Sequence, residues 1–300
     1  MEKVKIIYNP TSGYQLSKKM VQNIALSLLD LEYTVSLSPT KDTNSAYNET
    51  IKAHESGYDI ILACGGDGTV NEVVNAMADS KTGMKLGIFP TGTVNDFATY
   101  LGLDGSSDNL IRLIKNDFYV PVDIGKANDK YFVNVAAGGK LASIAHETDK
   151  GLKSVFGRLA YYAEGVKAFP DAISSGFRLK YELDGEKFED DALVFLVSNS
   201  SSIGGFSKIA PNALVTDGYL DVIIIKDTGN FVDVAQIFFK ILSGEHVDDA
   251  RVSYFHAKTI KIESDQPIDL DVDGESLGEL PVNISVADYK LKVFTNIKEW

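Results

Sequence analysis

The sequence has a single cysteine and only four histidines among its 300 residues. One cysteine excludes an internal disulfide framework and suits a reducing compartment such as the cytoplasm. The histidines show no spacing typical of a metal site. Cys64 ends an apolar run, so we expect a buried, unreactive thiol there, because nothing nearby in the sequence supplies an obvious base for a catalytic one.

Basic residues are also scarce. The chain has 29 Lys and Arg against 42 Asp and Glu, which gives a formal charge of −13 at pH 7. This balance argues against nucleic acid as a partner and against bulk attraction to an anionic membrane. No apolar run reaches the roughly 18–20 residues that span a bilayer, and the N-terminus has a short strand pattern and not that of a signal peptide.

The most informative stretch is residues 64–75, CGGDGTVNEVVN. An apolar run at residues 58–63 predicts a buried strand before it, and apolar side chains at helical spacing follow, so the glycines lie at a strand-to-helix turn. Glycine permits positive φ and close approach to a ligand, and the start of a helix attracts anions. A phosphate suits this turn, with Mg²⁺ relieving its repulsion from Asp67. The alternative is a tight turn without a ligand.

A second stretch, residues 90–98, PTGTVNDFA, repeats the arrangement of strand, Gly/Thr turn and helix. A third polar turn at residues 9–13 follows the first strand, and it either contacts a ligand or caps the next helix. Alternating strands and helices predict a parallel sheet with helices on both faces. Such sheets bind ligands at the carboxyl ends of their strands.

The pattern changes near residue 123. Short strands separated by Asn-Asp and Asp-Gly turns now predict an antiparallel β-sandwich, interrupted by helices at residues 152–166 and 231–242. The sequence therefore predicts an α/β protein of two domains. An N-terminal open parallel α/β sheet domain, which binds a nucleotide, covers residues 1–123, and a C-terminal antiparallel β-sandwich-like domain covers residues 124–288.

Residues 267–275, PIDLDVDGE, carry four carboxylates. On a strand, Asp269, Asp271 and Asp273 would share one face, and crowded carboxylates repel one another, which can produce a general base. From composition alone, a solvated acidic strand edge that runs into an Asp-Gly turn is the simpler interpretation.

Together these stretches resemble the diacylglycerol kinase catalytic family, whose motifs read GGDGT-NEV-N and P-GT-NDFA, and especially its soluble members from Gram-positive bacteria. The resemblance extends from residues 6–13, IIYNPTSG, to residues 272–275, VDGE. It implies that residues 1–123 bind the nucleotide and that residues 124–288 form a lipid-acceptor domain, with the active site in the cleft between them. By the same resemblance, the chain end, residues 289–300, returns to the first domain. It also implies ATP and Mg²⁺ as cofactors, diacylglycerol as the phosphate acceptor and phosphatidic acid as the product.

The resemblance also assigns residues. It places the catalytic aspartate, the general base for the lipid hydroxyl, on Asp273, with Glu275 as a supporting acid. Asn95 and Asp96 are expected to steady the second turn. The nucleotide-binding residues that it implies are Asn9, Pro10, Thr11, Ser12, Gly13, Thr40, Gly65, Gly66, Asp67, Gly68, Thr69, Val70, Asn71, Glu72 and Thr93.

Residues 210–220, APNALVTDGYL, resemble the family's magnesium loop. The implied ligands are the Asp217 carboxylate and the carbonyls of Leu214 and Tyr219, with water completing the octahedron. Relatives are usually more acidic in this loop, and a plain hairpin turn is the alternative.

The family further implies a homodimer that contacts the inner face of the cytoplasmic membrane transiently and peripherally. Six basic residues would form a patch for anionic headgroups if they face one way, and are otherwise scattered on the surface. These residues are Lys18, Lys19, Lys150, Lys153, Arg158 and Lys167.

Two other functions stay open. The chain could phosphorylate another lipid alcohol, such as phosphatidylglycerol or a sphingoid base, or it could be a catalytically silent regulator that binds nucleotide or lipid. NAD kinases share the GGDG turn but lack the paired PTGTVNDFA element, so they resemble this chain less.

Overall fold

The computed structural model describes residues 1–11, 14–139 and 176–297. The chain divides into a first unit, Met1–Ile124 with Asp288–Trp300, and a second unit, Gly125–Ala287. No helix in the described part of the chain is long and apolar enough to cross a membrane. Outside the described residues lie the predicted helix at residues 152–166 and four residues of the predicted basic patch: Lys150, Lys153, Arg158 and Lys167.

Strands and helices alternate through the first unit up to its crossover to the second. They are β1 (Lys3–Tyr8), α1 (Tyr14–Asp30), β2 (Thr34–Pro39), α2 (Ser45–Glu55), β3 (Ile60–Gly65), α3 (Asp67–Asp79), β4 (Lys85–Pro90), α4 (Asp96–Tyr100), α5 (Ser107–Lys115) and β5 (Tyr119–Val122).

Strands dominate the second unit, and the chain then returns to the first with one more strand. The elements are β6 (Gly125–Ala127), β7 (Lys130–Phe132), β8 (Val135–Gly139), β9 (Phe177–Leu183), β10 (Glu186–Ser198), β11 (Leu220–Lys226), α6 (Phe231–Ser243), β12 (Val252–Ala257), β13 (Thr259–Ser264), β14 (Asp269–Val272), β15 (Glu275–Glu279), β16 (Val282–Val286) and β17 (Leu291–Phe294).

Six described strands form the sheet of the first unit, in the order β2-β1-β3-β4-β17-β5. All are parallel except β5, which runs antiparallel to β17. α1 packs beside α5 and α2 beside α3. β3 is buried along its whole length, as expected for a strand covered on both faces. The predicted α/β fold is confirmed, with a mixed sheet because of its antiparallel edge strand.

The register of this sheet brings its turns together. Tyr8, the last residue of β1, pairs with Pro39 of β2 and Cys64 of β3, and Gly65 pairs with Pro90 of β4. Because these strands are parallel, the segments that follow them all begin at one edge of the sheet. That edge is where open α/β sheets bind ligands.

The second unit is built on one antiparallel sheet, to which eleven described strands contribute. Side chains alternate between two hydrophobic clusters along its central strands: Phe195 and Val197 of β10 enter one cluster, and Val194 and Leu196 enter the other. α6 covers the second cluster through Ile237. This arrangement confirms the predicted antiparallel β-rich domain.

Candidate active site

The two glycine turns of the first unit lie against each other. A Cβ added to Gly92 would be 2.5 Å from the Gly66 Cα, and a Cβ added to Gly66 would be 3.2 Å from the Gly92 Cα. Next to this contact, the Thr91 N–H donates to the Gly65 carbonyl at 2.9 Å. The turns therefore meet through backbone atoms, with no room for a side chain at Gly92.

The first three glycines of the motif do not adopt the positive φ that we expected. None of Gly65, Gly66 and Gly68 has a positive φ. A Cβ on Gly65 would be 2.4 Å from the Thr69 Oγ1, whereas a Cβ on Gly68 would meet nothing within 4 Å. Close packing thus explains Gly65 and Gly66. It does not explain why residue 68 is a glycine, since a side chain would fit there. A glycine at such a position is expected where a ligand approaches the backbone.

Asn95 joins the second turn to the first. Its Oδ1 accepts from the Gly92 N–H at 2.9 Å, and its Nδ2 donates to the Gly92 carbonyl at 2.8 Å. Its own N–H donates to Asp67 Oδ2 at 2.9 Å. Asn95 has φ of 54°, a left-handed conformation that asparagine adopts more readily than most residues. Asn95 therefore steadies the turn, as predicted.

Asp67 begins α3 in an unfavourable setting for a carboxylate. Burial and the neighbouring Asp96, itself buried, raise the pKa of Asp67, although the backbone N–H groups of Asn95 and Asp96 oppose this shift. A bound cation would stabilise such a carboxylate. The described residues contain no cluster of three His, Cys, Asp or Glu side chains that could hold a metal. Phosphate oxygens and water would have to complete a magnesium site here.

The turn after β1 and the residue after β2 are tied to the same edge. The Asn9 N–H donates to the Cys64 carbonyl at 3.0 Å, and the Thr40 N–H donates to the Tyr8 carbonyl at 2.8 Å. Asn9 Oδ1 accepts from the N–H and the hydroxyl of Thr11, which forms an Asx turn. Of the other predicted nucleotide ligands, Pro10 and Thr93 are exposed, and Ser12 and Gly13 lie outside the described residues.

The side chains of two predicted ligands on α3 lie in the core. Val70 is 4% exposed and Asn71 is 5% exposed.

Cys64, at the end of β3, is also buried, and burial raises the pKa of its thiol to about 12. This confirms the expectation of an unreactive thiol.

Glu72 has a structural partner. Its carboxylate accepts from the N–H groups of Asn44, Ala46 and Tyr47, at 3.0, 2.9 and 3.3 Å. These groups begin α2, whose own N-cap residue makes no side-chain cap. Glu72 therefore caps α2 from α3, a role that its position in the sequence gave no means of recognising.

Asp273 and Gly274 form the turn between β14 and β15, with φ of 50° and 86°. Two consecutive residues with positive φ are typical of a tight hairpin. The predicted common face of Asp269, Asp271 and Asp273 is wrong, because β14 ends before Asp273 and its register shifts after Leu270. Asp269 is consequently exposed, whereas Asp271 is buried.

The Asp273 carboxylate is held by three backbone N–H groups. Val133 donates to Oδ2 at 2.8 Å, and Asn134 and Val135 donate to Oδ1 at 3.0 and 2.9 Å. The Asp273 N–H in turn donates to the Val135 carbonyl at 2.9 Å. Charge-assisted bonds of this kind fix the carboxylate in one orientation.

Asp184 and Gly185 form a closely similar turn between β9 and β10, with φ of 49° and 94°. The Asp184 carboxylate accepts from the N–H groups of Lys258 and Thr259. Burial acts to raise the pKa of Asp184, but the bonds from Thr259 and Lys258 outweigh it and hold the pKa below its ordinary value. The turn at Asp273 is thus also a structural device, and its geometry alone does not identify a base.

Backbone N–H groups bond the predicted magnesium loop into a turn. Asp217 Oδ1 accepts from the Tyr219 N–H at 2.9 Å, and the Asp217 N–H lies 3.5 Å from the Leu214 carbonyl. Asp221, a residue that the sequence did not single out, is 1% exposed and bonds to His256 at 2.9 Å. Burial and the nearby Asp217 raise the pKa of Asp221 to about 6, although the hydrogen bonds from Tyr254 and His256 oppose this shift.

Other charged groups gain a role only from the fold. Asp123 is 1% exposed, and its Oδ1 lies 2.8 Å from Lys290 Nζ, although 167 positions separate the two residues in the chain. Glu275, predicted as a supporting acid, is exposed and pairs with Lys130. The sequence offered one signal for Asp123: it is a single carboxylate directly after the apolar residues of β5.

Family models match nearly the whole chain. The model of the diacylglycerol kinase catalytic domain matches residues 3–127. The model of the YegS C-terminal NAD kinase beta sandwich-like domain matches residues 134–295. The two matches correspond to the α/β part and the β-rich part of the chain.

Individual relatives agree with these models. The chain is 39% identical over 294 residues to a diacylglycerol kinase of Staphylococcus epidermidis, a match that covers 98% of this chain and 92% of the relative. It is 40% identical to one of Staphylococcus haemolyticus, with 93% and 84% covered. A crystal structure of a diacylglycerol kinase from Bacillus anthracis superposes with a TM-score of 0.79 at 27% identity, covering 100% of this chain and 98% of the other.

We predict that Gly92→Ala destabilises the protein, because the added Cβ would collide with the Gly66 backbone and the Asn95 side chain. Overpacking of this kind costs about 1–3 kcal/mol. The control is Gly68→Ala, whose Cβ meets open space in the first turn of α3 and should cause no loss of stability. Urea unfolding of both variants measures the difference. Equal stabilities for the two variants would contradict the proposed contact.

We predict that Glu72→Gln lowers the free energy of unfolding by about 1 kcal/mol, because it removes the charge that caps α2. The control is Glu55→Gln, which removes an exposed charge from the other end of the same helix. Thermal or urea unfolding of the two variants compares their stabilities. A loss of stability in the Glu55 variant that matches that of the Glu72 variant would argue against the capping role.

Proposed function

Because the chain belongs to the diacylglycerol kinase catalytic family and is an ATP-dependent lipid kinase, we propose that it transfers the γ-phosphate of ATP to the hydroxyl of diacylglycerol, which gives phosphatidic acid. The observation that carries this proposal is the meeting of the two glycine turns at one sheet edge, with Asp67 bound to the second turn. That edge combines free space beside the backbone, a helix N-terminus and an acidic group.

In this proposal, ATP lies along the edge formed by the ends of β1 to β4. The phosphates contact the backbone of Gly65–Thr69 and the turn that begins at Asn9, with Thr40 and Thr93 beside them. The space next to Gly68 supports this placement, because a side chain there would obstruct a ligand. Val70, Asn71 and Glu72 then contribute by holding α3 in place, in keeping with their buried or bonded side chains.

Two magnesium positions follow from the donor atoms present. Asp67 would hold one ion beside the phosphates, where the metal neutralises charge that develops during transfer. The second would lie in the loop of Asp217, with the carbonyls of Leu214 and Tyr219 as further ligands. All of these donors are oxygen atoms, which magnesium prefers.

Asp273 acts as the general base. It accepts the proton of the lipid hydroxyl while that oxygen forms a bond to the γ-phosphorus and the bond to the β-phosphate oxygen breaks, which releases ADP. The three N–H donors support this role, because a fixed carboxylate needs no reorientation during the reaction. The family resemblance assigns the catalytic aspartate to Asp273 in the VDGE sequence, and the comparison with Asp184, which stands in LDGE, tests this assignment.

The acceptor suggests where the protein works. Diacylglycerol resides in a bilayer, so the enzyme must contact a membrane surface at least transiently. ATP and a single buried cysteine fit the cytoplasm and the inner face of its membrane. The family resemblance suggests a homodimer, which size-exclusion chromatography with light scattering would test.

We predict that Asp67→Asn raises the thermal midpoint near neutral pH. The folded-state pKa of Asp67 is raised, so its ionised form is destabilising above that pKa, and this effect disappears as the pH falls. The variant keeps an oxygen for the Asn95 N–H. It should also lose the magnesium dependence of ATP binding, measured by calorimetry. Asp30→Asn, on an exposed position, is the control, and wild-type magnesium dependence in Asp67→Asn would refute the assignment.

We predict that Asp273→Asn abolishes lipid phosphorylation while ATP binding persists. Asparagine also sets an N–H₂ group against a backbone N–H donor, so some stability is lost as well. Asp184→Asn is the matched control, because it makes the same change in the same kind of turn. Both variants should be destabilised to a similar extent, and only Asp273→Asn should lose activity. Equal activities in the two variants would show that Asp273 is only structural.

The acceptor is identified in the same assay, which follows ATP-dependent phosphorylation in mixed micelles with Mg²⁺. Diacylglycerol, phosphatidylglycerol and sphingosine are compared as acceptors. Turnover on another lipid would support the proposed phosphate transfer but identify a different acceptor. A folded, ATP-binding protein without turnover on any lipid would be a regulator.

A further inference from the structure

A buried polar network lies behind the segment that holds Asp273. The segment is residues 133–135, which joins β7 to β8 and includes the first residue of β8. The Asn199 Nδ2 donates to the Val133 carbonyl at 3.0 Å, and the Asn199 N–H donates to the Asn134 carbonyl at 2.8 Å. Ser198 Oγ lies 3.3 Å from the same Asn134 carbonyl. Residues 198 and 199, at the end of β10, thus contact the segment from the side opposite to Asp273, because β8 lies between β10 and β14 in the sheet.

The planarity of the peptide group connects the two sides of this segment. The Val133 carbonyl and the Asn134 N–H belong to one rigid peptide, and so do the Asn134 carbonyl and the Val135 N–H. Asn199 therefore fixes the carbonyl ends of the same two peptides whose N–H ends donate to Asp273 Oδ1. Rotation of either peptide would break a bond on each side.

We propose that Asn199, assisted by Ser198, is a positioning residue for lipid phosphorylation, because it holds the two peptides that aim Asp273. The inference rests on the proposed role of Asp273 as the base. Misplacement of a reacting group by about 1 Å can cost about 100-fold in rate, so a residue that fixes its donors affects turnover.

The network is protected from water. Ser198 and Ser200 are fully buried, Asn199 is 1% exposed and Asn134 is 6% exposed. Ser200 Oγ lies 3.0 Å from Asn134 Oδ1, and Ser198 Oγ lies 2.6 Å from the Ser200 carbonyl. Bonds in such a setting are not exchanged for bonds to water, so they hold the segment firmly.

The turn at Asp184 shows that the hairpin itself does not need this network. Its donors belong to Lys258 and Thr259, which are both exposed. A tight turn with an aspartate bound to backbone N–H groups can therefore form at the surface. The buried polar groups behind Asp273 add rigidity beyond what that turn requires.

Asn199→Asp tests the proposal, because the isosteric carboxylate oxygen repels the Val133 carbonyl that Asn199 Nδ2 now binds. We expect kcat to fall about 10- to 100-fold, with the KM for ATP unchanged. Hydrogen exchange at residues 133–135 should become faster. A second variant, Ser198→Ala, removes one hydroxyl and should lower kcat several-fold in the same way.

The control is Thr295→Val, which removes a comparable buried bond, from Thr295 Oγ1 to the Leu101 carbonyl at 2.7 Å, in the first unit. It should lose stability without loss of kcat. Wild-type kcat in both folded variants, alongside an inactive Asp273→Asn, would overturn the inference. If Asn199→Asp fails to fold, the kcat of Ser198→Ala tests the inference in its place. An active Asp273→Asn would instead refute the base itself, which is a separate result.

Discussion

The contact between Gly66 and Gly92 is the constraint on which the candidate nucleotide site depends. Adjacent parallel strands bring the turns after β3 and β4 together, and they meet at backbone distance because neither turn has a side chain at that point. The Thr91 N–H and Asn95 then tie the second turn to Gly65 and to Asp67. Without this contact, the start of α3 and its acidic residue would have no fixed relation to the second turn.

The order of elements was predictable because it depends on local patterns. Apolar spacing and turn residues predicted the α/β half and the antiparallel half, and this fold class is confirmed. The reason for the glycines was not predictable. Their clustering suggested positive φ, whereas Gly65 and Gly66 have no room for a Cβ because of Thr69 and Gly92. The contact with Gly92 joins residues 26 positions apart and leaves no local signal.

The roles of the carboxylates were even less predictable from the sequence than those of the glycines. Glu72 belongs to the glycine motif in sequence, yet its oxygens bind N–H groups 25 to 28 positions away. Asp184 and Asp273 both precede glycine in a hairpin and both accept backbone N–H groups, so neither sequence nor local geometry separates them. The difference lies behind the turn, where Asn199 bonds the segment that holds Asp273 and the Ser198 hydroxyl lies beside that segment. Asp184 has no comparable buried network in the described residues that supply its donors.

This difference bears on the proposed role of Asp273 as the general base. A side-chain oxygen at the first turn position also receives a backbone N–H at Asn128, where Asn283 donates at 3.1 Å, so the second unit uses the device repeatedly. Its ordinary purpose is to satisfy backbone groups that burial would otherwise leave unbonded. A general base needs the same property, a fixed acceptor, with greater precision. In the proposed catalytic role of Asp273, a buried network that restrains the donors as well as the acceptor supplies that precision. Stability and the proposed catalysis then make the same demand on Asp273, and only the comparison with Asp184 separates them.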